Sequence, residues 1–224
     1  MDQLSTNFKR YLQETLDIDG IPTVILEFRL QMRWLPLLLL IIMIMAAPCQ
    51  ADPYAKYNRV KKFDRHFSKY SKRFFGPGFD WRLFKAQAVA ESGLDAAAKS
   101  GVGAVGLMQV MPGTFKEIQA KNPTIKGKQL QPRWNIAAGI YYDRTLWNLW
   151  RAERPRQDRL NFMFGSYNAG KGNILKAQKA AGKHRLNPNL WESIISTLPN
   201  ITGKRSHETI SYVEKIEHVK GVLK

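Results

Sequence analysis

Residues 80–109 read DWRLFKAQAVAESGLDAAAKSGVGAVGLMQ, a helix signal running into a loop rich in Gly, Ala and Ser. Asp80 stands where it can cap the helix that begins WRLFKAQAVAES. Glu91 falls seven residues after Phe84 and three after Ala88, so it shares their apolar face instead of pointing into open water. It also sits in the last turn, where the negative end of the helix dipole disfavours a carboxylate. Burial and dipole together raise its proton affinity, which suits a proton donor working near neutral pH. On its own, a glutamate at a helix end is equally compatible with a solvated, frayed terminus.

Outward from this stretch the chain reads as all-α. Residues 52–75 are expected to form one basic, polar helix, with Tyr57, Val60, Phe63, Phe67 and Tyr70 at helical spacing. GPGFD at 76–80 is a turn, and 93–105 a loop. Pro112 suits the first turn of a helix to about residue 120. Residues 135–151 carry Ala138, Tyr142, Leu146 and Leu149 on one face, and 159–169 carry Leu160, Phe164 and Tyr167. Shorter helices are expected over 171–181 and 189–197, with a last one over 207–220. Strand-like alternation and internal repeats are lacking.

Composition bounds the partners. The chain of 224 residues has 35 Lys+Arg against 18 Asp+Glu, a net charge of +17. Residues 52–224 hold 31 of the basic and 13 of the acidic groups, so this segment alone carries +18. Such a charge calls for an anionic partner: nucleic acid, an acidic membrane or an acidic polymer. The apolar run WLPLLLLIIMIMAA after Arg29 and Arg33 is short for a membrane span, which needs about 20 residues. With CQA after it, residues 32–51 read as an export signal peptide cleaved after Ala51. Residues 1–31 are then an upstream tail or a start assigned too early, with Met32 the better initiator. The competing reading is a cytosolic tail followed by an uncleaved anchor. Pro48 before Cys49 argues against lipidation at that cysteine. No cysteine follows, and the four histidines (His66, His184, His207, His218) are scattered, so neither disulfide, metal site nor cofactor is expected.

The chemistry is concentrated in two places. Around Glu91, the glycines at 101, 103 and 106 let the backbone approach a bulky ligand, while Ser100 and Gln109 offer hydrogen bonds. Further on, SYNAGKGN at 166–173 supplies the amphipathic ring of Tyr167 and the two-way amide of Asn168. Each glycine-rich piece is also an ordinary helix stop.

Together the pieces resemble one family. Glu91–Ser92, then S-x-x-G-A-x-G-L-M-Q from Ser100 to Gln109, M-P-x-T from Met111, Y-N-A-G from Tyr167 and E-T-x-x-Y-V from Glu208 resemble, in order and spacing over residues 78–220, the lytic transglycosylases of the soluble type. DWRLFKAQ and NPNLWESI…LP look closest to the catalytic domain of membrane-bound lytic transglycosylase F. LDAAA departs from the family's aromatic-Asn-Pro run after the E-S pair, and a counterpart of that enzyme's preceding substrate-binding-like domain is not expected from this sequence. The resemblance implies a lysozyme-like helical fold of the goose-type and soluble-transglycosylase kind over 52–224, acting on peptidoglycan in the periplasm as a monomer. It implies that Glu91 is the acid and base. Ser100 and Tyr212 would lie near that carboxyl and the muramic sugar, Gln109 and Asn168 would hydrogen-bond acetamido and hydroxyl groups, and Met108 and Tyr167 would line the walls. Glu208 is expected to brace the fold, and a core position on the last helix is an equally good account of Tyr212.

Three rivals stand beside this reading. A goose-type lysozyme would share the fold but let water attack, with Asp95 the nearby acid in sequence able to help it. A basic, non-enzymatic wall- or nucleic-acid-binding domain would do no chemistry, and the export signal speaks against nucleic acid. A wall-piercing subunit of an envelope-spanning machine would use the same chemistry with added partners.

Overall fold

The computed structural model describes residues 51–224, and the tail and export-signal readings of residues 1–51 lie outside them, Ala51 apart. A short 3-10 turn, Ala55–Arg59, precedes α1 (Asp64–Phe75), α2 (Arg82–Ser92), α3 (Pro112–Lys121), α4 (Pro132–Leu149), α5 (Arg156–Ala169), α6 (Lys171–Lys183), α7 (Trp191–Thr197), α8 (Pro199–Thr202) and α9 (Arg205–Val222). The described residues hold only isolated bridges in place of a sheet, Lys99 to Val105 and Val105 to Val110. None of their helices is long and apolar enough to cross a membrane.

The organising element is α2. Residues 83–89 are buried without interruption, so this helix is enclosed on all sides instead of presenting one stripe to a core. It packs on α9 and α1, while α4 lies against α1, α5 and α3, and α5 also meets α9, α6 and α7. The cap position is Trp81, one residue later than expected, and Asp80 stands just before it, its Oδ1 accepting from the Arg82 amide at 3.1 Å while the Arg82 guanidinium folds back onto the same carboxylate.

Burying α2 also buries a cation, and this overturns the expectation of one helix over 52–75. Lys85 is 1 % exposed. Its ammonium lies 2.7 Å from Asp64 Oδ1 and donates to the carbonyl of Val60 at 2.8 Å. An ammonium out of water demands such acceptors, and a carbonyl inside a continuous helix would already be engaged. The chain therefore breaks at Val60 and restarts at Asp64.

Other boundaries moved for local reasons. Pro132 and Pro155 set the starts of α4 and α5 ahead of the expected positions, because a proline at or before N1 costs no helical hydrogen bond. On α4, Ala138 and Leu146 are buried, but Leu149 at its end is 42 % exposed.

Gly165 lies mid-helix in α5, where alanine would ordinarily stabilise by about 1 kcal/mol. A Cβ there would stand 2.3 Å from Cη2 of the buried Trp191. Gly165→Ala is therefore expected to destabilise, by about 1–3 kcal/mol, in thermal or denaturant unfolding. A stabilised variant would show that α7 does not hold the indole against α5.

Candidate active site

α2 ends in two left-handed residues. Gly93 has φ 63° and Leu94 φ 62°, their amides returning to the carbonyls of Val89 and Ala88. A leucine in this region is strained. The side chain is 6 % exposed, so burial offsets the strain as LDAAA leaves the helix.

The loop then returns across the end of α2, and its backbone is held by side chains from three helices. Val105 and Val110 exchange both backbone hydrogen bonds, closing a small hairpin. Ser92 Oγ donates to the Leu107 carbonyl at 2.9 Å, the Met108 amide donates to Asn135 Oδ1 at 2.7 Å, and the Tyr167 hydroxyl donates to the Met108 carbonyl at 2.7 Å. Asn135 is fully buried, and its Nδ2 reaches the carbonyls of Val105 and Gln129. Gly106 has φ 79°, and a Cβ there would lie 2.5 Å from Asn135 Nδ2, so glycine is required twice over. Gln109 sits at φ 42° and turns its amide inward to the carbonyls of Gly106 and Ala98.

These contacts settle where the sequence-predicted residues lie. Glu91, at the end of α2, accepts a hydrogen bond from the Tyr212 hydroxyl of α9 at 2.5 Å. Tyr212 is 8 % exposed, and its hydroxyl is spent on Glu91. Tyr167 lies beside this pair with Tyr142 edge-on to it at 5.4 Å, its hydroxyl bound to the loop. Asn168 accepts from the Thr209 hydroxyl at 2.8 Å. With Val102, Arg205 and Glu208 it lines a hollow of about 530 Å³. Ser100 stays within its own turn, its Oγ accepting from the Ala104 amide at 3.0 Å. The Met108 side chain is fully buried against Gly139 of α4, beneath the surface rather than along an exposed wall.

Of three acids to place here, sequence spacing left one, Asp143, unremarked. Asp95, the candidate nearest in sequence, is exposed and accepts from the Ala97 amide in a local turn. Glu208, expected to brace the fold, is instead exposed on the hollow, with its charge opposing ionisation of Glu91. Asp143 of α4 is fully buried and faces Glu91 electrostatically. It is eight residues beyond Asn135 on a helix with no recognisable motif, so only packing reveals it.

Burial pushes the Glu91 carboxyl up to about 7, with Glu208 adding to the effect and the Tyr212 hydrogen bond and Lys215 opposing it. Burial and the neighbouring Glu91 likewise hold the Tyr167 and Tyr212 phenols well above the usual range, so both remain donors. The site therefore presents one carboxyl that both gives and takes a proton near neutrality, fixed by a permanent donor.

Two outcomes follow from these shifts. Because folding raises the Glu91 pKa, its contribution is fully present below the unfolded value near 4.5 and is lost as pH rises through about 7. Glu91→Gln should therefore melt like the parent near pH 4 and become the more stable protein by pH 8, by up to about 3 kcal/mol. A stability difference independent of pH would show that the carboxyl titrates normally. Tyr212→Phe removes a donor that favours the ionised form, so the Glu91 carboxyl should titrate at a higher pH in a ¹³C NMR titration. A downward shift would mean the phenol is not its partner.

Comparison with known proteins gives this geometry a family. Residues 70–189 match the model of the transglycosylase SLT domain. Membrane-bound lytic murein transglycosylase F of Shewanella pealeana is 30% identical over 155 residues, covering 69% of this chain and 30% of that protein. The enzyme of the same name from Desulfosudis oleivorans is 29% identical over 179 residues, covering 75% of this chain and 37% of its own. The chain thus spans about a third of the length of these curated relatives. Among solved structures, the 70-kDa soluble lytic transglycosylase of Escherichia coli superposes with a TM-score of 0.55 at 26% identity, over 72% of this chain and 24% of that one. The helical arrangement around α2 is the lysozyme-like fold of those enzymes, and this chain belongs to the transglycosylase SLT domain family.

Proposed function

We propose that the domain cleaves the bond between N-acetylmuramic acid and N-acetylglucosamine in peptidoglycan without water, leaving a 1,6-anhydro end. The observation that carries this is Glu91: a carboxyl whose burial raises its proton affinity to about 7, held by Tyr212 at the end of α2. Glu91 gives its proton to the glycosidic oxygen as the C1–O bond breaks. The resulting carboxylate takes the proton of the muramic C6 hydroxyl while O6 closes on C1. Glu91 ends protonated, as it began, and water is neither consumed nor released. The nucleophile belongs to the substrate, so the paired carboxylates of hydrolytic glycosidases have no counterpart to supply.

The remaining residues support this chemistry at one remove. Tyr212 stabilises the carboxylate that exists between the two steps. Tyr167 and Gln109 keep the loop rigid beside the sugar through their hydrogen bonds to its carbonyls, and Met108 anchors it from below. Asn168, on the lined hollow, meets the sugar's acetamido or hydroxyl groups, and the Ser100 turn borders it. The +18 charge of residues 52–224 draws the domain to the lactyl and stem-peptide carboxylates of the wall. Such a substrate places the protein in the cell envelope, in the periplasm, working as a monomer or within an envelope machine.

Mass spectrometry of peptidoglycan digested by the purified protein decides the reading. Anhydro-muropeptides are expected, falling at least about 100-fold in Glu91→Gln. Products with reducing ends would mean that water attacks. Glu208, on the hollow, would then be the base to test, ahead of the outward-facing Asp95.

A further inference from the structure

Beneath Glu91 lies a pair of polar side chains that the proposed reaction does not use. Gln87 precedes Glu91 by one turn of α2, on the same face. Its amide Nε2 donates to Asp143 Oδ1 of α4 at 3.2 Å. Both residues are wholly inaccessible to water. Each is left with one bare atom: Gln87 Oε1 and Asp143 Oδ2 have no hydrogen-bond partner. Two buried acceptors without a donor are costly, and an ionised aspartate cannot relieve the cost because it has no hydrogen to give. A single proton on Asp143 Oδ2 relieves both.

We propose that Asp143 is a positioning residue for Glu91: a neutral carboxylic acid joined to Gln87 by two reciprocal hydrogen bonds, Gln87 Nε2–H to Asp143 Oδ1 and Asp143 Oδ2–H to Gln87 Oε1, which leaves Glu91 as the one carboxyl of the buried cluster that changes charge. The groups that face Asp143 are consistent with a neutral acid. Gln87 and Glu91 come from α2, Tyr142 from α4 itself, Tyr167 from α5 and Tyr212 from α9, and none of them is cationic. Burial accordingly pushes the Asp143 carboxyl well above the usual range, and Glu91 adds to this, against the Gln87 amide.

The benefit to Glu91 is electrostatic. Two ionisable carboxyls in one enclosed site share a proton, and the second ionisation is held back by the first. Glu91 must become a carboxylate between its acid and base steps. An already charged Asp143 would oppose that step, whereas a neutral one does not. The pair also ties α2 to α4 one turn below the catalytic carboxyl. The inference rests on Glu91 as the acid and base, but the protonation of Asp143 can be read without any activity.

The test compares Asp143→Asn with Asp143→Leu. Asparagine offers a carbonyl to Gln87 Nε2 and an N–H to Gln87 Oε1, so it keeps the pair without a titratable proton. Asp143→Leu is expected to lower kcat about tenfold or more with KM little changed, and Asp143→Asn to restore kcat and the parent pH profile. If Asp143→Asn moves the pH at which activity falls by about one unit or more, Asp143 is charged in the native protein and the proposal fails. If Asp143→Leu matches the parent, the positioning role fails. Should Asp143→Leu not fold, ¹³C NMR of the aspartate carboxyls in the full protein decides. The resonance absent from Asp143→Asn must hold a protonated shift from about pH 5 to about pH 8, and one that titrates in that range overturns the proposal. Activity surviving in Glu91→Gln would sink the proposed function, while the carboxyl resonance would still report on the Asp143 pair.

Discussion

The hydrogen bond from Tyr212 to Glu91 joins residues 121 apart in sequence, and it forms only when the first fully buried helix and the last helix lie against each other. α9 packs on both α2 and α5, and its Val213, Ile216 and Val219 are nearly inaccessible. The apolar contact provides the energy and the phenol provides the aim. A carboxyl at the end of an enclosed helix would otherwise hold its proton too tightly to release it. With a permanent donor beside it and Lys215 one turn further along α9, its affinity settles near neutrality. Fold and the proton affinity of Glu91 are thus coupled through one pair of helices.

A second layer fixes what stands opposite that carboxyl. The peptide at Met108 is gripped at its N–H by Asn135 and at its C=O by Tyr167, while Ser92 grips the carbonyl before it. Such side-chain clamps supply to a loop what a sheet ladder would supply to a strand, namely partners for otherwise orphaned backbone groups. They also account for residue types that first suggest ligand contacts. The Gln109 amide and the Tyr167 hydroxyl are engaged by the protein itself, so they shape the site by holding its floor.

Much of this was legible in the sequence, for identifiable reasons. The helices from α2 onward follow apolar spacing and proline or glycine punctuation, and Glu91 stands out because it shares a face with Phe84 and Ala88 at a helix end. The break at Val60 was hidden because Lys85 reads as one more surface lysine until its helix is found to be enclosed. Asn135 and Asp143 were hidden for the same reason. A polar residue on a helix carries no local mark that its partner is a loop amide or a glutamine 56 residues away. Glu208 was misjudged because a motif shows that a residue is retained in a pattern but not which way it points.

The loop beside Glu91 is built in two parts with different tolerance to change. Its base, from Val105 to Val110, is tied to three helices, and Gly106 has no room for a side chain. Its tip is the opposite around Gly103, whose φ of 91° keeps it glycine: Val102 is 79 % exposed, and a Cβ at Gly101 would meet nothing within 4 Å. Variation at Val102 or Gly101 therefore leaves the Glu91–Tyr212 geometry undisturbed. Under the proposed function, the tip is where sequence change would shift substrate preference at this edge of the hollow while the Glu91–Tyr212 pair stays fixed.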